Sequence, residues 1–271
     1  MNIGQELVDE IKNNQIILFA GAGLSMNLGL PSWSKLIDHM SEDLDIKSED
    51  FQKMGNYLEL AEYYQLTKGT IGPLRSWMDT NFHSENIKIK DSKAHELITQ
   101  MKFPIIYTTN YDRWIEKSFD AFKEKYDKIT NIFDFTQIHG DRTQIIKYHG
   151  DFDDDSSIVL TETSYFKRLA LDTPLDMKLR TDSLGKSLLF IGYSLNDIDI
   201  RYLLYKLQLL WGDSLEKSMQ PKSYIFLAKG NPVQEKILTS RGIESIISDD
   251  DDPGKGLVNF LESLKAQAFG S

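Results

Sequence analysis

Cysteine is missing from all 271 residues of the chain. Its absence excludes disulfides, a thiol nucleophile and any thiolate zinc site, and it suits a cytoplasmic protein. Long apolar runs are missing as well. None approaches the ~18 residues of a membrane span, and the first residues lack the basic-then-apolar order of an export signal, so neither a membrane nor secretion is expected. Positive charge is in deficit, with 31 Lys and Arg against 41 Asp and Glu and a formal charge of −10. That balance argues against a broad surface for direct contact with nucleic acid. No internal repeat is visible. What is present, 41% hydrophobic residues in a chain of this length, suffices for a substantial core. We read residues 1–271 as a single domain carrying an insert.

The chain is organised around Ile16-Ile17-Leu18-Phe19-Ala20, an apolar run that breaks into Gly21-Ala22-Gly23-Leu24-Ser25. A short run without alternation suits a central strand of a parallel sheet, buried on both faces. Gly21 and Gly23 allow a sharp turn, and Ser25 is placed to cap a helix that starts there. The amides of such a start face a phosphate in nucleotide sites. A plain strand-to-helix turn explains the same pattern. The dinucleotide fingerprint wants a third glycine where Met26 stands, and an acidic residue ending the next strand; both are missing, which disfavours an ordinary dehydrogenase.

Helical apolar spacing precedes this strand at Ile3, Leu7, Val8 and Ile11. After it, Gly29-Leu30-Pro31 reads as a turn and Ser34 as the cap of a helix through Leu36, Ile37 and Met40. Residues 48–100 look helical throughout and form the expected insert, or small subdomain, over the first strand. Five further strands are expected at 104–107, 144–148, 187–191, 224–227 and 243–247, with a short edge at 158–160. Strands alternating with helices call for an α/β fold, a Rossmann-like doubly wound parallel sheet. In such sheets ligands gather at the carboxyl ends of strands. There the sequence sets Asn110 and Asp112, then His149, then Gly192 and Ser194. Asn110 or Asp112 also suits a simple helix cap. His149, between a strand and Gly150, is placed like a general base, whereas His139 follows no convincing strand. The Asp153-Asp154-Asp155 run reads as a solvated turn, without the spaced partners of a metal site.

Taken in order, GAGLSMNLGLPSW (21–33), TTNYD (108–112), KYHGD (147–151) and IGYSLND (191–197) resemble the motifs of the sirtuin superfamily, and within it the bacterial SIR2-like branch of antiphage defence proteins. The resemblance implies a sirtuin-like fold that binds NAD. It assigns Gly21, Ala22, Gly23 and Ser25 to the pyrophosphate loop, and Asn110 and Asp112 to the nicotinamide and its ribose. It makes His149 the catalytic histidine, with Asn110 beside it, and brings Gly192 and Ser194 to the adenosine ribose and phosphate. Deacylating sirtuins carry a four-cysteine zinc module, an Asp-Phe-Arg after the loop proline and a TQN motif. Here there is no cysteine, Ser32-Trp33-Ser34 follows Pro31, and Thr108-Thr109-Asn110 replaces TQN. Trp33 is left to cover the nicotinamide pocket. The defence branch shares these departures and hydrolyses NAD to ADP-ribose and nicotinamide, with no metal. The resemblance therefore implies an NAD+ hydrolase that acts by depleting NAD during infection. A protein deacylase and a catalytically silent NAD or ADP-ribose-binding module are the alternatives. Beyond Asp197 the sequence is expected only to finish the sheet, so control falls to a homo-oligomer or to a partner, for which the family suggests a HerA-like ATPase or an Argonaute-type protein.

Overall fold

The structure is a computed structural model that describes residues 3–26, 28–193, 198–211 and 220–270. Seven strands form one parallel sheet: β1 Ile16–Ala20, β2 Ile105–Thr108, β3 Tyr126–Ile129, β4 Thr143–Lys147, β5 Ser187–Ile191, β6 Ser223–Leu227 and β7 Ile243–Ile247, in the order β3-β4-β2-β1-β5-β6-β7. The helices before β2 are α1 Gln5–Lys12, α2 Ala22–Met26, α3 Trp33–Asp43, α4 Ser48–Phe51, α5 Tyr57–Lys68, α6 Gly72–Phe82 and α7 Lys93–Met101. After β2 follow α8 Trp114–Phe122, α9 Glu162–Leu169, α10 Pro174–Gly185, α11 Ile198–Trp211, α12 Pro232–Ser240 and α13 Pro253–Phe269. Among the described residues no helix is long and apolar enough to cross a membrane.

All five residues of β1 are buried because alternate side chains feed two cores. Leu18 and Ala20 pack with α1, α7, α8 and α13 on one face, while Ile17 and Phe19 pack with α10, α11 and α12 on the other. This double burial is why the inner strands read as unbroken apolar runs. The edge strand β3 does not: Tyr126-Asp127-Lys128 is half-buried and polar, and it was absent from the strands expected from the sequence. Conversely, residues 158–160 form no strand. The Val159 amide donates to the His149 carbonyl at 2.9 Å, and Ile158 and Leu160 enter a third apolar cluster.

That third cluster revises the expected 48–100 insert. Leu36 and Met40 of α3, Phe51 of α4, Leu60 and Tyr64 of α5 and Leu74 and Met78 of α6 pack together with Phe152 and Leu160. Leu97, Ile98 and Met101 of α7 belong instead to the core under the sheet. The helical unit thus begins near residue 33 and ends near 82, and the segment after His149 is part of it. One cap and one turn also differ from expectation. Ser32, not Ser34, caps α3 by accepting from the Lys35 amide at 3.4 Å. Asp153 and Asp155, read as a solvated turn, reach Lys128 and Arg75 at 2.6 Å each.

Candidate active site

Strands β4, β2, β1 and β5 are neighbours in the sheet, so the four motifs that follow them emerge side by side at one edge. The chain leaves β1 toward β2 on one side and later returns to β5 on the other, which makes β1/β5 the switch point where a crevice opens. Here the glycines allow backbone to touch backbone. A Cβ on Gly23 would lie 2.8 Å from the Gly192 Cα, and one on Gly192, whose φ is +69°, would lie 2.6 Å from the Leu24 nitrogen. The Gly21 amide donates to the Ile191 carbonyl and the Gly23 amide to the Gly192 carbonyl, both at 2.9 Å. These two amides are therefore spent on packing the turn rather than offered to a phosphate. Ala22 is exposed at the first position of α2. Tyr193 lies against Gly21, and its hydroxyl shares a hydrogen bond of 2.8 Å with Thr109. Ser194 lies outside the described residues.

Asn110 is buried and joins two motifs. Its side-chain amide donates to the Gly21 carbonyl at 3.1 Å and to the Ser25 hydroxyl at 3.2 Å. Ser25, expected as a helix cap, serves here as an acceptor buried under the turn. With both hydrogens of its carboxamide directed at the first loop, Asn110 keeps its oxygen for another partner. Asp112 stands just before Arg113, the N-cap of α8, and its carboxylate accepts from the Trp114 amide of the first turn at 3.1 Å. Asp112 thus has a structural task at the position the family pattern gives to the ribose.

His149 is buried between aromatic rings, with Tyr148 5.8 Å away and Tyr165 of α9 edge-on at 5.4 Å. Burial first, and the charge of Arg168 second, lower its pKa to about 3, so the imidazole is neutral at physiological pH. Arg168 lies 4.1 Å over the Tyr148 ring and donates to Asp176 at 2.8 Å, and the Tyr148 hydroxyl also donates to Asp176. His139 is elsewhere: it is exposed beside β3, with Nδ1 3.0 Å from Asp127. Trp33, at the start of α3, stacks on Tyr57 at 5.9 Å on the rim of the helical unit. A cavity of about 530 Å³ opens beside Tyr148 and Gly150, bounded also by Thr161, Lys167 and Arg168.

The most consequential residue unseen in the sequence reading is Lys147. It is fully buried, and its ammonium donates to the Asp112 carbonyl and pairs with Glu116 at 3.3 Å and Asp151 at 3.9 Å. A lysine ending an apolar strand was the available signal, because a charge in such a place must be paired. Asp151 also lies 3.8 Å from Arg113 and 3.6 Å from Lys128, and Arg113 reaches Asp79 of α6 at 2.9 Å. An ionic network therefore runs from the His149 loop into the helical unit.

A family model described as a SIR2-like domain matches residues 104–246, which run from β2 into β7 and carry Asn110, Asp112, His149 and Gly192. The chain is 30% identical over 209 residues to the NAD(+) hydrolase ThsA of Cytobacillus dafuensis, covering 77% of this chain and 41% of that protein. It is 32% identical over 202 residues to the NAD(+) hydrolase ThsA of Enterococcus faecium, covering 72% and 40%. With Defense-associated sirtuin 2 of Bacillus subtilis it shares 24% identity over 245 residues, or 86% of this chain and 23% of that one. The chain spans about two fifths of the length of the ThsA relatives. With the matched region covering more than half of the sequence and containing three of the four strand-end motifs, the chain belongs to the SIR2-like domain family.

Proposed function

We propose that this domain hydrolyses NAD+ to ADP-ribose and nicotinamide and serves antiphage defence by depleting NAD. The observation that carries the reading is the amide of Asn110, which ties the glycine turn after β1 to the end of β2, the strand paired with the one that leads to His149. The names of the relatives support it: two are NAD(+) hydrolases and one is defence-associated.

On this reading the turn built by Gly21, Ala22, Gly23 and Ser25 lies against the pyrophosphate through its shape and not through the Gly21 and Gly23 amides, Gly192 and Ser194 lie on the adenosine side, and Trp33 covers the nicotinamide. Asn110 and Asp112 face the nicotinamide ribose. The bond from the ribose C1′ to the nicotinamide nitrogen breaks, and its electron pair leaves with neutral nicotinamide. A water adds to C1′, and its proton passes to the neutral imidazole of His149 and then to solvent. The oxygen of Asn110 orients the water or a ribose hydroxyl while C1′ carries positive charge. NAD+ and water thus give ADP-ribose, nicotinamide and one proton. Since a toxic hydrolase needs restraint, the reading includes a homo-oligomer whose activity rises when a HerA-like ATPase or Argonaute-type partner docks. Interfaces between subunits supply the two states such control requires.

The test is incubation of the purified protein with NAD+, alone and with the product of the neighbouring gene, followed by chromatography and light scattering. Equal yields of nicotinamide and ADP-ribose are expected, from an oligomer. Unchanged NAD+ in both arms would leave a silent binding module, and O-acyl-ADP-ribose formed from an acylated peptide would make it a deacylase. A monomer hydrolysing at full rate alone would defeat the proposed control.

A further inference from the structure

We infer that Lys147 is a positioning residue that clamps the Asn110 loop to the His149 loop. The inference rests on the hydrolase reading for its consequence and on the geometry for its substance.

The ladder between β2 and β4 ends at Thr108 and Lys147, followed by one more bond, from the Tyr148 amide to the Thr108 carbonyl at 2.8 Å. Asn110 and His149 both lie beyond that bond, so backbone pairing does not set their spacing. The Lys147 side chain continues where the ladder stops. Its ammonium donates to the Asp112 carbonyl, lies 3.5 Å from the Tyr111 carbonyl, and completes its surroundings with Glu116 and Asp151. Two of these oxygens belong to the loop holding Asn110, one to α8 behind that loop, and one to the turn just past His149. A single buried cation therefore touches both functional loops. An ammonium at 0% exposure is costly to desolvate, and apolar side chains fill the neighbouring positions of β4 at no such cost. Charge balance alone does not demand Lys147, because Arg113 and Lys128 already flank Asp151, and burial raises the pKa of Glu116 toward its neutral form. What Lys147 supplies among the described residues is a side-chain bond to the carbonyls of Tyr111 and Asp112, beyond the end of the ladder.

Two variants separate the clamp from the ion pair. Glu116→Gln keeps the carbonyl bonds, and kcat on NAD+ is expected within ~3-fold of wild type. Lys147→Met combined with Glu116→Gln removes the cation and its carboxylate together. In that double variant kcat should fall ~10²-fold with KM changed less than ~3-fold, as expected when reacting groups are misplaced by about 1 Å. Loss of activity in Glu116→Gln equal to that of the double variant, or a double variant with wild-type kcat, would overturn the inference. Hydrogen exchange supplies a readout that needs neither a variant nor activity. In the wild-type protein the amides of Tyr111 and Asp112, although outside the ladder, should exchange within ~10-fold of those of β4; the Arg113 amide is left out because it donates to His83 Nε2 at 2.9 Å. Fast exchange there would overturn the clamp even in an active enzyme, whereas slow exchange in a protein that leaves NAD+ untouched would retain the clamp and defeat only the hydrolase reading.

Discussion

His149 and Asn110 are one strand apart, yet their surroundings ask different things of them. Removing the imidazole in His149→Ala should lower turnover by ~10²–10⁴-fold, while His139→Ala, on the exposed rim beside β3, should be nearly silent. The depressed pKa of His149 adds a pH prediction. In the free enzyme its imidazole stays unprotonated far below the ordinary histidine range, so kcat/KM should show no acid limb near 6.5 arising from this residue. A bound pyrophosphate would raise its basicity, so the acid limb of kcat should lie above that of kcat/KM in pH–rate profiles. An acid limb of kcat/KM at 6.5 that disappears in His149→Gln would contradict the buried, neutral state. At the next strand, Asn110→Ala should abolish measurable turnover and, through the two lost hydrogen bonds, cost about 1–2 kcal/mol. Asp112→Asn keeps an acceptor for the Trp114 amide and removes only the charge. If Asp112 serves the ribose as an anion, that variant should melt near the wild-type temperature with impaired hydrolysis; wild-type rates would reduce Asp112 to its bond with the first turn of α8.

At the scale of elements, the glycine turn after β1 and the end of β5 act as one piece because their backbones are in contact. Gly192→Ala combines a left-handed φ of +69° with a Cβ 2.6 Å from the Leu24 nitrogen, so it must displace α2. Gly29→Ala has a similar φ of +74° and nothing within 4 Å, and should show the conformational cost alone, about 1–2 kcal/mol. Urea unfolding of the two variants, compared at equal m-value, should place Gly192→Ala well beyond Gly29→Ala. Equal losses would mean that the turn yields freely and that the close approach does not organise the site. The helical unit is coupled to the same edge through Phe152, Ile158 and Leu160, which follow His149 and pack in the unit's apolar cluster. Movement of α5 and α6 would therefore be felt first at the loop that carries the imidazole.

At the scale of the whole molecule, two buried histidines shape the dependence of stability on pH. Burial lowers His149 to about 3 and His95, in α7, to about 4. Both folded values lie below the unfolded value near 6.5, so the unfolded chain binds protons that the native one refuses, and stability rises with pH through this window. Stability should be fully present above about pH 6.5 and fall as the pH drops toward 4, by about 1.4 kcal/mol per unit for each histidine. Denaturant titrations at pH 7, 6 and 5 check this, and His95→Gln should reduce the slope by the equivalent of one proton. A flat profile would show that these rings take up protons in the native state.

The sequence by itself determined the inner strands, because a strand buried on both faces has to be apolar throughout, and that demand is local enough to read. It also determined the four strand-end motifs and their order, since Gly21, Asn110, His149 and Gly192 each follow such a run. Edge strand β3 escaped notice because only one of its four residues is buried, and tertiary pairing with β4 rather than hydrophobicity makes it a strand. Tertiary structure alone decided which of two nearby polar residues accepts from the first turn of α8 and which reaches across to the first loop, because Asn110 and Asp112 have similar local propensity for either task. It decided that Gly21 and Gly23 spend their amides on Ile191, the last residue of β5, and on Gly192 just after it, partners about 170 residues away in the chain. It moved α7 out of the helical unit, as the direction in which an apolar face is buried depends on the neighbours folding brings to it. Lys147 shows the same limit most sharply: its charge at the end of an apolar strand is plain in the sequence, but the oxygens it binds come from three separate segments that meet only when the sheet is assembled.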